Sequence, residues 1–216
     1  MTESAWEAVT VDIDGTLTLV HGWGEIAHAF GREAEFAATQ RRFFAHEEGE
    51  DEHRATLLDL ATGRTVAEVD AVVDRTPKLA GIGEGIRDLH RQGVRVLLLT
   101  HNPGYVVDFY RRTFGFDDGA GVTVPVGPDG RIGHANSVHA DKVGALRELL
   151  RPGAVDPRRV VHVGDGWSDA EVFRQVGGGI ALNSRLPEVR AAADLALETR
   201  DFRDVVAALG ALRPRP

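Results

Sequence analysis

Two acidic clusters stand where carboxylates can do chemistry. The first is Asp12-Ile13-Asp14-Gly15-Thr16-Leu17-Thr18, directly after an apolar run. Residues i and i+2 of a strand project to the same side, so Asp12 and Asp14 are expected close together where a strand ends. In open α/β sheets, ligands bind just outside the carboxyl ends of the strands. Gly15 permits a tight turn and close backbone approach. The second cluster is Gly164-Asp165-Gly166-Trp167-Ser168-Asp169, again after an apolar run and opening a helix. Oxygen ligands from such loops suit Mg2+, which takes one or two carboxylates plus waters and phosphate oxygens. Each cluster also has a plainer reading: a turn with solvated carboxylates, or an acidic helix start in which Ser168 and Asp169 favour the dipole.

Two further residues carry little weight alone. Thr100 ends an apolar run, where a hydroxyl and the free N–H groups of a helix start can hold a phosphate. The chain has two lysines, Lys78 and Lys142, against 23 arginines. Lys142 falls at a helix start, and its compact ammonium could neutralise both a carboxylate and a phosphate. A surface position is the alternative.

Strands that end beside one another are needed to gather these residues. Apolar runs at 8–13, 94–99 and 160–163 read as buried strands, with short final strands at 179–182 and 195–197. Helices are expected over 24–47, 52–73, 82–91, 103–113, 140–150, 168–175 and 201–209, with Pro103 tolerated near its helix start. Pro128-Asp129-Gly130 signals a hairpin turn within 122–138. Strands alternating with helices mean an α/β fold, a Rossmann-like, mostly parallel sheet flanked by helices. The helical stretch 18–79 interrupts that alternation and is expected as a cap inserted after the first strand. The core is then 1–17 and 80–216.

In this order, DxDGT at Asp12, a strand-end Thr100, Lys142 and GDxxxD at Asp165 resemble the haloacid dehalogenase superfamily. The early helical insertion and the hairpin stretch before Lys142 look most like its phosphoserine phosphatase branch, so the insertion would be a small C1-type cap. The resemblance implies that Asp12 attacks phosphorus to form an aspartyl phosphate. Asp14 would protonate the leaving alcohol and then activate water. Mg2+ would be held by Asp12, the main-chain carbonyl of Asp14, and Asp165, with Asp169 orienting its waters. Thr100 and Lys142 would hold the transferring oxygens, helped by backbone N–H groups near Gly15.

The resemblance thins at the substrate. The acid that reads the amine in phosphoserine phosphatases falls here near His21, with Glu25 four residues further on. Arg54 is placed to bind a substrate carboxylate. His101-Asn102 stand where those enzymes have glycines, and Ser168 where Asn is common. His21, Trp23, Arg54, His101 and Asn102, with Gly15, are therefore the expected substrate-binding residues. A phosphotransferase or phosphomutase, or a catalytically silent binding module, remain the alternatives.

Composition narrows the partners. The net charge of -8 and pI of about 5.6, without a basic run, disfavour nucleic acid. No cysteine is present, which excludes disulfides and thiolate chemistry. No stretch approaches the ~20 apolar residues of a membrane span, and the start of the chain does not read as a secretory signal. The expectation is a cytoplasmic protein acting on a small-molecule phosphate ester, away from membranes and in an oligomeric state the sequence leaves open.

Overall fold

The computed structural model describes residues 5–135 and 141–215. Among them, one sheet contains β1 (Ala8–Val11), β2 (Arg95–Pro103), β3 (Asp118–Val122), β4 (Val160–Gly164), β5 (Gly178–Leu182) and β6 (Leu195–Leu197). All neighbours are parallel, in the order β3-β2-β1-β4-β5-β6. Every residue of β1 is buried, as a central strand covered on both faces requires. The register sets Val11 beside Leu98 of β2 and Val163 of β4. Asp12, Thr100 and Asp165 therefore lie at nearly the same level, although β2 runs on past Thr100, expected at its end, to Pro103.

The helices are α1 (Gly22–Ala29), α2 (Glu33–Phe44), α3 (Glu50–Asp59), α4 (Val66–Arg75), α5 (Ile82–Arg91), α6 (Gly104–Phe114), α7 (Lys142–Leu150), α8 (Trp167–Phe173), α9 (Pro187–Ala192) and α10 (Phe202–Leu209). One face of the sheet, with Val9, Val11, Val96, Leu98, Val161 and Val163, packs on α5, α6 and α10. On the other, Ala8, Leu97, Leu99 and Val160 meet Leu146, Leu149 and Leu150 of α7 and Val172 of α8. Alternate strand residues thus feed two apolar layers, the Rossmann-like α/β arrangement expected from the sequence.

Helices α1 to α4 lie between β1 and α5, where α1 packs on α2 and α4, α2 on α3, and α4 on α6. The chain enters and leaves this insertion at adjacent points, because Thr18 bridges Lys78 in antiparallel fashion. Lys78 closes the end of α4, donating to the carbonyls of Asp74 (3.0 Å) and Thr76 (2.9 Å). No helix among the described residues is long and apolar enough to cross a membrane.

Several elements differ from expectation. The stretch 24–47 forms two helices, broken around Gly31 in the left-handed region. Within 52–73, a capping box between Thr65 and Glu68 starts a new helix. Strand β3, Asp-Gly-Ala-Gly-Val, was not expected, because an edge strand this rich in glycine offers no apolar run; pairing with β2 defines it. Short α9 was also not expected. Around Pro128-Asp129-Gly130 the chain makes a small hairpin, Val126 bridging Ile132, outside the main sheet. Positions 136–138 of the expected hairpin stretch and Ala140 of the expected helix lie outside the described residues.

Candidate active site

The two acidic loops meet because glycine lets them. Gly15 has φ of 75°, and a Cβ there would lie 2.2 Å from Asp165 Oδ2. Any side chain there would displace the Asp165 carboxylate from its place. Thr16 Oγ1 donates to Asp165 Oδ1 (3.3 Å), and Ser184 Oγ donates to the Asp165 carbonyl (2.6 Å). At the end of β4, a Cβ on Gly164 would lie 2.2 Å from Asp169 Cγ. Asp169 can fold back on the loop only because that position is bare.

Asp169 is fully buried and surrounded by donors. Oδ1 accepts from Lys142 Nζ (2.6 Å) and His162 Nε2 (2.9 Å). Oδ2 accepts from the N–H groups of Asp165 (3.0 Å) and Gly166 (2.9 Å). Burial opposes its ionisation, but Lys142 and then His162 more than offset that, so the carboxyl sits far below its ordinary range. Lys142 is 6% exposed at the first turn of α7, a place where the helix dipole disfavours a cation. Its Nζ lies 3.2 Å from Asp12 Oδ2 as well. Burial lowers its hold on the proton, but Asp12 and Asp169 keep it above the ordinary lysine value.

Asp12 receives the Thr100 hydroxyl in addition. Burial nevertheless raises its carboxyl, with Lys142 opposing and Asp169 adding to the rise. Asp165 is pushed up to about 8, by burial first and then by Asp12 and Asp169. Carboxylate oxygens of Asp12, Asp165 and Asp169 lie within 4.8 Å of one another. Three carboxylates against one ammonium leave surplus negative charge in a desolvated place. Hard oxygen donors with that surplus fit Mg2+. Asp169 already satisfies four donors, so Asp12 and Asp165 are the carboxylates left to face a cation.

The Asp14 carboxylate turns away from this cluster. Oδ1 accepts from Gly22 N–H (2.9 Å) and Oδ2 from Asn102 Nδ2 (3.0 Å). A register shift in β2 between Leu99 and Pro103 brings Thr100, His101 and Asn102 to the site. Asn102 also donates, from its main chain and side chain, to Thr100 Oγ1 at 3.2 Å each.

A cavity of about 260 Å3 opens over Asp12, Asp14, Thr100, Lys142 and Asp169. His21, Trp23, Arg54, His101 and Asn102 line it too. Gly15 and Asp165 line the adjoining groove instead, and the Gly15 N–H donates to Thr18 Oγ1 (3.1 Å). His21 packs edge-on to Phe36. Arg54 Nη1 donates to Asp51 (2.8 Å), and Nη2 reaches His101 Nδ1 at 3.4 Å. Burial, then Lys142 and Arg54, push His101 down to about 3.

Sequence reasoning missed His162 and Thr10, which face each other across β1 and β4 and hydrogen-bond at 2.9 Å (Thr10 Oγ1 to His162 Nδ1). A histidine inside an otherwise apolar strand was the available signal, since a buried ring needs partners. Phe43, His53, Leu57, Leu58 and Trp167 also line the cavity; Trp167 sits within the second acidic cluster, and nothing in the local sequence sets the others apart.

The haloacid dehalogenase-like hydrolase pattern matches residues 6–177. A phosphoserine phosphatase of Archaeoglobus fulgidus is 26% identical over 180 residues, 82% of this chain and 52% of that protein. The chain thus spans about half the length of that relative. A HAD family hydrolase of Salmonella enterica superposes with a TM-score of 0.84 at 18% identity, covering 94% of this chain and 70% of that one. A phosphoserine phosphatase solved as an analogue of its phospho-aspartyl intermediate superposes at 0.77, with 21% identity over 96% of this chain and 99% of that one. With this sheet, these loops and that match, the chain belongs to the haloacid dehalogenase-like hydrolases and resembles their phosphoserine phosphatase branch.

Proposed function

We propose that the protein is a Mg2+-dependent phosphatase that hydrolyses a small-molecule phosphomonoester through an aspartyl phosphate on Asp12. The setting of Asp12 carries this reading: a buried carboxylate at a central strand end, with the Lys142 ammonium 3.2 Å away and Asp165 beside it. The likeness to a phosphoserine phosphatase captured as a phospho-aspartyl analogue supports it.

An ionised carboxylate is a nucleophile that needs no base. Mg2+, held by Asp12, Asp165 and the Asp14 carbonyl, would supply the positive charge that lets these carboxylates ionise and neutralises the phosphoryl group. A carboxylate oxygen of Asp12 bonds to phosphorus, the ester P–O bond breaks, and Asp14 gives a proton to the departing alcohol oxygen. Gly22 N–H and Asn102 hold Asp14 for that transfer. In the second half, Asp14 takes the proton of an attacking water. The bond between Asp12 and phosphorus then breaks and phosphate leaves. Lys142 and Thr100 stabilise charge on the phosphoryl oxygens. Asp169 acts by holding Lys142 and the Asp165 loop, a more direct use of its four donors than orienting water. The insertion 18–79 serves as a cap over the cavity, and the remaining chain as the core.

The test is phosphate release from a panel of phosphomonoesters, with Mg2+ and with EDTA, for wild type and Asp12→Asn. Release should require both the cation and Asp12, with a loss of roughly 10³-fold or more in the variant and an unchanged circular dichroism spectrum. Near-normal turnover by Asp12→Asn would sink the mechanism.

A further inference from the structure

Four large hydrophobic side chains stand exposed among the described residues, and three of them, Val20 (36%), Phe44 (66%) and Trp167 (42%), line one groove. That groove shares His21, Gly166 and Trp167 with the active-site cavity. A second groove, lined by Phe43, Phe44 and Trp167, shares Phe43, Glu50 and Trp167 with the same cavity. The exposed apolar surface is therefore continuous with the catalytic pocket, and such clustering marks a binding surface.

The rings are braced. Phe43 stacks on His53, with centroids 4.3 Å apart and an 11° tilt, and stands edge-on to Trp167 at 6.4 Å. His53 Nδ1 is tied to Thr39 Oγ1 (2.9 Å), and the Trp167 indole N–H donates to Glu188 (2.7 Å). Deeper in, Trp23, Leu57 and Leu58 continue the apolar wall. The charges on this path are mixed: Arg54 and Lys142 line the cavity, while Glu47, Glu48 and Glu50 line the groove toward Phe44. Beyond the catalytic carboxylates, the acid lining the cavity is Glu50, which faces Arg54 at 3.8 Å.

Resting on the phosphatase reading above, we propose that the alcohol part of the ester carries a flat apolar ring, the ring lying along Phe43 and Trp167 and reaching toward Phe44. Ring faces and edges bury well against a flat partner.

The experiment compares kcat/KM for esters of unactivated alcohols, all with Mg2+: 2-phenylethyl phosphate, ethyl phosphate, phosphoethanolamine, phosphoserine and phosphocholine. Acetyl phosphate is the reference for the hydrolytic chemistry. The phenylethyl ester should exceed every other ester by about tenfold or more. Trp167→Ala and Phe44→Ser, the second at an exposed position that does not endanger folding, should each erode that preference severalfold. Equal rates for phenylethyl and ethyl phosphate would overturn the inference and leave the hydrolase standing. So would a preference for phosphoserine or phosphoethanolamine, or for phosphocholine, which a cage of rings would favour through cation–π attraction. An equal loss on every ester in both variants would also overturn it, and would assign the rings to closure of the insertion on the core. If acetyl phosphate and all the esters stay intact, the phosphatase reading falls and this inference falls with it.

Discussion

The two walls of the cavity are built on opposite principles. The wall at the strand ends is polar and saturated: Asp12, Lys142, Asp169 and His162 each have hydrogen-bonded or ionic partners at 2.6 to 3.2 Å. The wall from α1, α2 and α3 is mostly rings and aliphatic carbons around the Arg54–Glu50 pair, with His101 Nε2 buried and unpartnered beside it. A saturated network fixes geometry, which suits the phosphoryl group that every ester shares. An apolar wall accepts shape, which suits the part of the substrate that varies. Variants at the strand ends should therefore change turnover of all esters alike, and variants in α2 and α3 should change the ratios between them.

Lys142→Ala is the strongest way to break that division. It removes the ammonium shared by Asp12 and Asp169. The expected loss in kcat is about 10²–10³-fold, equal across esters within a factor of a few. A loss that depended strongly on the alcohol would move Lys142 into substrate selection. An unchanged kcat would remove it from the site.

His162→Leu sharpens the same comparison from inside the sheet. Asp169 accepts from Nε2, so that nitrogen carries the hydrogen and Nδ1 takes the Thr10 hydroxyl. Leucine removes one of the four donors to Asp169 and leaves the buried Thr10 hydroxyl with only the long contact to the Val161 carbonyl (3.5 Å). The expected cost is about 1–3 kcal/mol in urea unfolding, with kcat falling less than in Lys142→Ala because the lysine contact remains. His162→Gln, which keeps an N–H at a similar reach, should recover part of the stability. Wild-type stability in both variants would show that the network is not held from the strand.

The same contrast separates what the sequence discloses from what it hides. Asp12, Thr100 and Asp165 were legible because each follows an apolar run, and parallel strands of one sheet end together. Lys142 was legible through composition, since only two lysines occur. The other, Lys78, turned out to close α4. Phe43, His53 and Trp167 were not legible, because they meet only after α2, α3 and α8 pack. Helix periodicity says which face is apolar and nothing of which distant ring it will touch. Strand β3 and α9 escaped for a related reason: pairing and packing, not local pattern, define them. His162 lay between, hidden in an apolar run yet chemically out of place there.

Acid should act first at two histidines of the cavity, His101 on β2 and His53 on α3. His101 is held down to about 3, and His53 is lowered by burial and then by its cationic neighbours against Glu48. Both rings bind protons less readily folded than unfolded. From about pH 6.5 downward the unfolded chain takes up more protons, and stability falls until about pH 3. Between pH 6.5 and 5.5 this amounts to about 1 kcal/mol from His101, read as a shift in the urea midpoint. His101→Gln should flatten that slope, and an unaltered slope would contradict the burial assigned to the ring.

A last measurement tests the charge surplus at the strand ends without any turnover. Asp165 lies in a buried cluster whose carboxylates outnumber the lysine beside them. Without a divalent cation, Asp165→Asn removes a carboxyl whose ionisation is resisted by burial first and then by Asp12 and Asp169, while keeping the shape and an oxygen for Thr16 to donate to. The metal-free variant should be more stable than metal-free wild type by about 0.5–2 kcal/mol, as removal of functional strain commonly gives. Mg2+ should raise the melting temperature of wild type, because a ligand of the folded state stabilises it by mass action, and should do so far less in the variant. Equal Mg2+ responses in the two proteins would place the cation away from Asp165. A less stable metal-free variant would mean that the saturated wall already balances its own charge, and the contrast between the two walls would then rest on shape alone.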